Sequence, residues 1–168
     1  IGLHSGEKIV LTLNPAPENS GIKFIRTDLN PKIEIPALSN FVSRTDRGTT
    51  LTKDGEFIKT TEHLLAALFA SSINNCEIEI NGAEIPIMDG SSKPFSDAIL
   101  KAGIVQQSES QEVFVVQEVI QFTDDETGSE ILIIPSDDIS FSVMIDFETK
   151  VLGTQNAILK TIKDFHKE

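Results

Sequence analysis

Apolar and polar residues trade places at every second position over several short stretches, the pattern of strands with one face buried. Ile9, Leu11 and Leu13 alternate with Val10 and Thr12, and Ile22, Phe24 and Arg26 with Lys23 and Ile25, on either side of a turn over Pro15–Gly21. Cys76, Ile78 and Ile80 alternate with Glu77 and Glu79. Asn81-Gly82 follows, a tight-turn dipeptide, and predicts a hairpin whose return strand is Ala83–Ile87. The longest alternation is Ile139, Phe141, Val143, Ile145 and Phe147 against Ser140, Ser142, Met144 and Asp146. Val113–Phe122 and Ile131–Ile134 also read as strands, joined by an acidic turn, Thr123–Ser129. Between Asn30 and Thr52 the pattern is weak, and short strands with an ordered loop over Ser43–Thr50 are expected.

Helical spacing appears in three places. Thr60–Ser72 repeats Leu64, Leu65, Leu68 and Phe69 with alanines between, with Thr60 or Thr61 as cap and Glu62 at the positive helix end. Ser92 caps a second helix with Pro94 in its first turn and Gly103 past its end, its inner face being Phe95, Ile99, Leu100 and Ala102. Thr154–Lys167 reads as a third, with Ile158, Ile162 and Phe165 as its inner stripe. The polar run Gln106–Gln111 separates two successive α+β units, expected as residues 1–106 and 107–168. The second has about three strands and one helix, too little to cover its own sheet, and is expected to be an incomplete domain.

Composition narrows the function. The 168 residues carry a net charge of −12, which disfavours nucleic acid as a partner, while a small anion would need a local positive site. No apolar run approaches the roughly 20 residues of a membrane helix, and no basic segment followed by an apolar stretch opens the chain. Cys76 is the single cysteine, so no internal disulfide or Cys-rich zinc site can form, in keeping with a reducing cytoplasm.

Chemistry is sparse. There is no phosphate loop, no Gly-x-Ser-x-Gly elbow and no dinucleotide fingerprint. Of three histidines, His63 directly follows Glu62 at the entrance of the first helix. A ligand histidine beside a non-ligating glutamate suits a zinc hydrolase. A first-turn glutamate is equally explained by the helix dipole, and a neighbouring histidine by packing. His4 alone reads as structural, His166 as solvated, and Asp89 as the acceptor that ties down its own turn.

Five segments in order carry more. They are Gly2-Leu-His-Ser-Gly6, Leu11-Thr-Leu-Asn-Pro-Ala-Pro17, Gly21-Ile-Lys-Phe-Ile-Arg-Thr-Asp-Leu29, Thr61-Glu-His-Leu-Leu-Ala-Ala-Leu68 and Glu84-Ile-Pro-Ile-Met-Asp-Gly-Ser91. Together they resemble the zinc-dependent UDP-3-O-acyl-N-acetylglucosamine deacetylases of lipid A biosynthesis, closely over the first hundred residues and loosely beyond.

The resemblance implies two α+β domains, each a sheet with two helices, packed face to face around the site. It implies hydrolysis of the substrate's acetamide by zinc-activated water, with release of acetate. Glu62 then matches the general base, His63 the first zinc ligand and His4 a histidine near the substrate. The Gly48–Thr50 loop, with Thr49 and Thr50, falls beside the metal and substrate. The family's other zinc ligands, a His-x-x-x-Asp pair, and its catalytic histidine are missing here, so the remaining ligands are expected outside this chain, which alone is expected to be inactive. Some members are fused to an acyl-carrier-protein dehydratase. The competing reading is a non-catalytic α+β module that binds a nucleotide sugar or a partner.

Overall fold

The computed structural model describes residues 1–147 and 149–167. The fold is α+β, as the sequence pattern predicts, and its contacts divide the chain into two units, Ile1–Gln111 and Glu112–Glu168.

In the first unit the strands are β1 (Leu11–Pro15), β2 (Ile22–Arg26), β3 (Ile33–Pro36), β4 (Val42–Arg44), β5 (Thr50–Lys53), β6 (Glu56–Ile58) and β7 (Cys76–Ile80). The helices are α1 (Glu62–Ala70) and α2 (Lys93–Ala102), which pack on each other. One sheet runs β1-β7-β2-β3, with β2 and β7 parallel and the outer pairs antiparallel; a second runs β4-β5-β6. The alternation read from the sequence sets the faces. Cys76, Ile78 and Ile80 are buried with Phe24 and Ile35. On the other face Lys23 pairs with Glu34 and Glu77 at 3.1 and 3.0 Å. Leu51 and Ile58 from the small sheet, Leu64 and Leu68 from α1, Phe95 and Ile99 from α2, and Ile85 complete one core.

Several expectations change. Ala83–Ile87 is not a return strand; it makes only isolated bridges, Lys59 with Glu84 and Gly2 with Pro86. The reason is that β1 and β2 occupy both edges of β7, leaving it no hydrogen-bonding edge for a hairpin partner. Phe69, part of the helical repeat, and Leu100, expected on the inner face of α2, are 52% exposed, and Ala102 is exposed too; Ser96 takes the inner position of α2 beside Phe95 and Ile99. Neither Thr61 nor Ser92 caps its helix with a side-chain bond.

The second unit is described by itself. It contains the hairpins β8 (Ile120–Thr123) with β9 (Glu130–Ile133) and β10 (Phe141–Asp146) with β11 (Thr154–Leu159), then a short 3-10 helix, Ile162–Lys167. The strand expected over Val113–Phe122 begins only at Ile120. The helix expected over Thr154–Lys167 is mostly strand: Thr154–Leu159 pairs residue by residue with Phe141–Asp146, and that ladder overrides the weak helical spacing.

Candidate functional site

The entry to α1 is built around a strained residue. Thr60 is 4% exposed and holds φ at 59°, a left-handed conformation that is costly for a β-branched side chain, on the order of 1–3 kcal/mol. The turn it makes brings Thr61 and Glu62 round to face the Gly48–Thr50 loop. Thr61 donates to the Thr49 carbonyl from both its N–H and its hydroxyl, each at 3.3 Å. The Thr49 N–H in turn donates to Glu62 Oε2 at 2.9 Å. Thr61's hydroxyl is thus spent on the loop, which explains why it does not cap the helix. Gly48 holds φ at 150°, and a Cβ placed there would lie 3.1 Å from Glu62 Oε1. The absence of a side chain at Gly48 leaves that oxygen its space.

His63, the second residue of α1, is half-buried. A catalytic zinc takes three protein donors. Among the described residues no group of three His, Cys, Asp or Glu side chains comes together that could hold a metal ion. His63 offers one imidazole nitrogen, and the described residues do not make a metal centre by themselves.

Beside this entry lies a pocket of about 290 Å³ lined by His4, Arg44, Asp46, Arg47, Gly48, Thr50, Lys59 and Thr60. Arg44, Arg47 and Lys59 face one acid, Asp46, so the pocket is locally cationic in a chain of net charge −12. His4 and Thr50, singled out from the sequence, line it; Thr49 and Glu62 adjoin it through Gly48 and the Thr49 peptide. Asp89 does what its turn suggested: its Oδ1 accepts the Ser91 N–H and hydroxyl at 2.9 and 2.8 Å, which hold its carboxyl below its ordinary pKa.

Sequence reasoning missed Arg44, Arg47, Lys59, Thr60 and Glu84. Glu84 is 2% exposed and accepts the backbone N–H groups of His4 and Ser5, both at 2.8 Å. Burial pushes its carboxyl pKa up. The bonds from the His4 amide and from the Ser5 hydroxyl and amide, with the charge of His4, outweigh that and leave it below the ordinary value. The available signal was a lone acid inside the apolar run Ala83–Ile87.

The family model described as LpxC: UDP-3-O-acyl N-acetylglycosamine deacetylase matches residues 1–168. A relative named bifunctional enzyme LpxC/FabZ, from Chlorobaculum tepidum, is 43% identical over 100% of this chain and 36% of its own length. Proteins named UDP-3-O-acyl-N-acetylglucosamine deacetylase are 42% identical in Hahella chejuensis and 41% in Myxococcus xanthus. The match covers 98% and 93% of this chain, and 53% and 49% of theirs. The chain thus spans between about a third and about half of the length of these relatives. With the family model covering all of it, the chain belongs to the UDP-3-O-acyl N-acetylglycosamine deacetylase family.

Proposed function

We propose that the protein containing this chain hydrolyses the acetamide of UDP-3-O-acyl-N-acetylglucosamine, an early step of lipid A biosynthesis, in the cytoplasm. The observation that carries the reading is the Glu62–His63 pair at a helix entrance, its carboxylate held by the Thr49 N–H beside a cationic pocket. The relatives named as deacetylases of this substrate support it.

In the reaction a water oxygen bonds to the acetamide carbon, the C–N bond breaks, acetate leaves, and the departing nitrogen takes a proton. Glu62 takes the proton from the attacking water at Oε1, because Oε2 is committed to the Thr49 N–H. His63 would give one imidazole donor to a zinc ion whose remaining donors lie outside the described residues. When bound, that ion supplies Lewis acidity at the carbonyl. Arg44, Arg47 and Lys59 fit the diphosphate of a nucleotide sugar, with His4, Thr49 and Thr50 along the substrate's path. The two-part name of the Chlorobaculum relative is in keeping with a fused second enzyme, here an acyl-carrier-protein dehydratase.

The test is acetate release from the UDP sugar by the intact, zinc-loaded protein. Glu62→Gln is expected to keep stoichiometric zinc and lose at least about 100-fold in kcat; His63→Ala is expected to lose metal. The 168-residue piece alone is expected to bind zinc weakly and turn nothing over, since one imidazole cannot hold it. Equal turnover by Glu62→Gln sinks the base assignment. Sugar binding without any turnover by the intact protein would favour the non-catalytic module.

A further inference from the structure

Three of the separated sequence segments meet on one carboxylate. Glu84 Oε1 accepts the His4 N–H and Oε2 the Ser5 N–H, each at 2.8 Å, and the Thr60 hydroxyl faces Oε1 at 3.5 Å. The backbone reinforces the junction. Lys59 N–H donates to the Ala83 carbonyl at 2.9 Å and Ile85 N–H to the Lys59 carbonyl at 3.0 Å. Residues 83–85 therefore run beside Lys59, just ahead of the turn into α1. The N-terminal loop is tied to the same segment, with Gly2 bridging Pro86 and Ile87 N–H donating to the Ile1 carbonyl at 3.0 Å. Gly2 is required by this junction: a Cβ there would run into the Ser5 hydroxyl and would lie 2.5 Å from Glu84 Oε2.

The donors around Glu84 are chain N–H groups and the Ser5 and Thr60 hydroxyls; no lysine or arginine pairs with it among the described residues. Donors on both oxygens need two acceptors. A carboxylate supplies them, whereas an amide supplies one acceptor and turns an NH2 toward the other donor. A buried acid kept ionised by loop amides holds those loops in place, because releasing them would leave the charge unpartnered.

We propose that Glu84 is a positioning residue of the deacetylase site. By accepting from the amides of His4 and Ser5 and from Thr60, it fixes the His4 loop against the entrance of α1. His4 and Glu62 then stand at a set separation. The inference rests on the reading above that both serve one substrate.

The test has two readouts in the intact protein. Backbone amide exchange over residues 3–6 is measured without substrate: Glu84→Gln is expected to lose about 10-fold in protection there, with the amides of α1 unchanged. For the UDP sugar, kcat/KM is expected to fall about 10- to 100-fold. The double variant Glu84→Gln/His4→Ala is expected to be no worse than the poorer single one. Gly2→Ala, which pushes on the Ser5 hydroxyl and on the carboxylate it donates to and leaves the charge, is expected to reproduce both effects and serves where Glu84→Gln does not fold. Unchanged exchange, unchanged kcat/KM or additive losses overturn the proposal. A wild-type protein without deacetylase activity overturns instead the function it rests on, and the substrate-free exchange arm tells the two failures apart.

Discussion

The Thr49 N–H donates to Glu62 Oε2 at 2.9 Å, joining positions 13 residues apart. Each side of the bond depends on the other's backbone. Thr49 can point its N–H at the carboxylate because Thr61 holds the Thr49 carbonyl, and Glu62 arrives there through the left-handed turn at Thr60. One oxygen of Glu62 is thereby fixed, and in the proposed mechanism the other takes the proton. A base is effective when its geometry is settled before the substrate binds.

Gly48→Ala tests that arrangement. The new Cβ would lie 3.1 Å from Glu62 Oε1, and φ of 150° is one that residues with a Cβ rarely adopt. The carboxylate must shift by a few tenths of an ångström. We expect kcat of the intact enzyme to fall about 10-fold with KM nearly unchanged, measured by steady-state kinetics. A rise in KM at constant kcat would instead place the strain on substrate binding.

The β5–β6 hairpin offers a prediction free of the site. Lys53 pairs with Glu56 across Asp54-Gly55, whose φ values are 53° and 85°. Both central residues being left-handed makes this the primed two-residue turn that suits strand twist. A Cβ on Gly55 would meet nothing within 4 Å, so Gly55→Ala costs only backbone strain, about 1–2 kcal/mol. Asp54→Gly should stay within about 0.5 kcal/mol of wild type. Urea unfolding of both variants checks the ordering.

What was legible in the sequence was local. The strand faces of Phe24 and of Cys76, Ile78 and Ile80 follow from a two-residue period, and the helix that carries Glu62 and His63 from its apolar repeat. The Asn81-Gly82 hairpin failed because turn chemistry says nothing about whether an edge is free, and both edges of β7 were taken. Thr154–Leu159 failed because its strand exists only through β10. Asp54-Gly55 carried a hairpin signal as good as Asn81-Gly82 but sat at the end of a weakly patterned stretch. Glu84 was invisible as a site residue because its partners His4 and Ser5 lie 80 and 79 positions away. Only folding shows that a lone acid in an apolar run has amides to accept.

Cys76 is predicted to be inert. It is 4% exposed at the start of β7, its register partners being Pro15 and Ile22. Burial pushes the thiol pKa up, a backbone bond opposes it weakly, and Glu77 adds to the rise. The thiolate is the reactive form, so iodoacetamide labelling of the native protein should run at least about 100-fold slower than in urea, followed by mass spectrometry. Stoichiometric native labelling would show that the core side of β7 opens.

Arg26 and Asp28 give a prediction with a pH window. Arg26 is 5% exposed, and its Nε and Nη2 donate to the two Asp28 oxygens at 2.8 and 2.6 Å while Nη1 donates to the Phe57 carbonyl at 2.9 Å. The Arg26 guanidinium holds the Asp28 carboxyl below its ordinary range despite partial burial, and Asp28 raises Arg26 further above neutrality. Arg26 stays charged throughout, so Asp28 sets the window. Because its folded pKa is depressed, its stabilisation is complete above the unfolded value near 3.9 and is lost as pH falls through the lower folded value. Asp28→Asn leaves a buried guanidinium short of its carboxylate and should cost about 2 kcal/mol at pH 7. Urea unfolding at pH 7, 5 and 3 should show that difference intact at the first two and shrinking at the third, where the wild-type side chain begins to protonate. A difference near zero already at pH 7 would mean that the Phe57 carbonyl and Glu56 (3.7 Å away) satisfy Arg26 without Asp28.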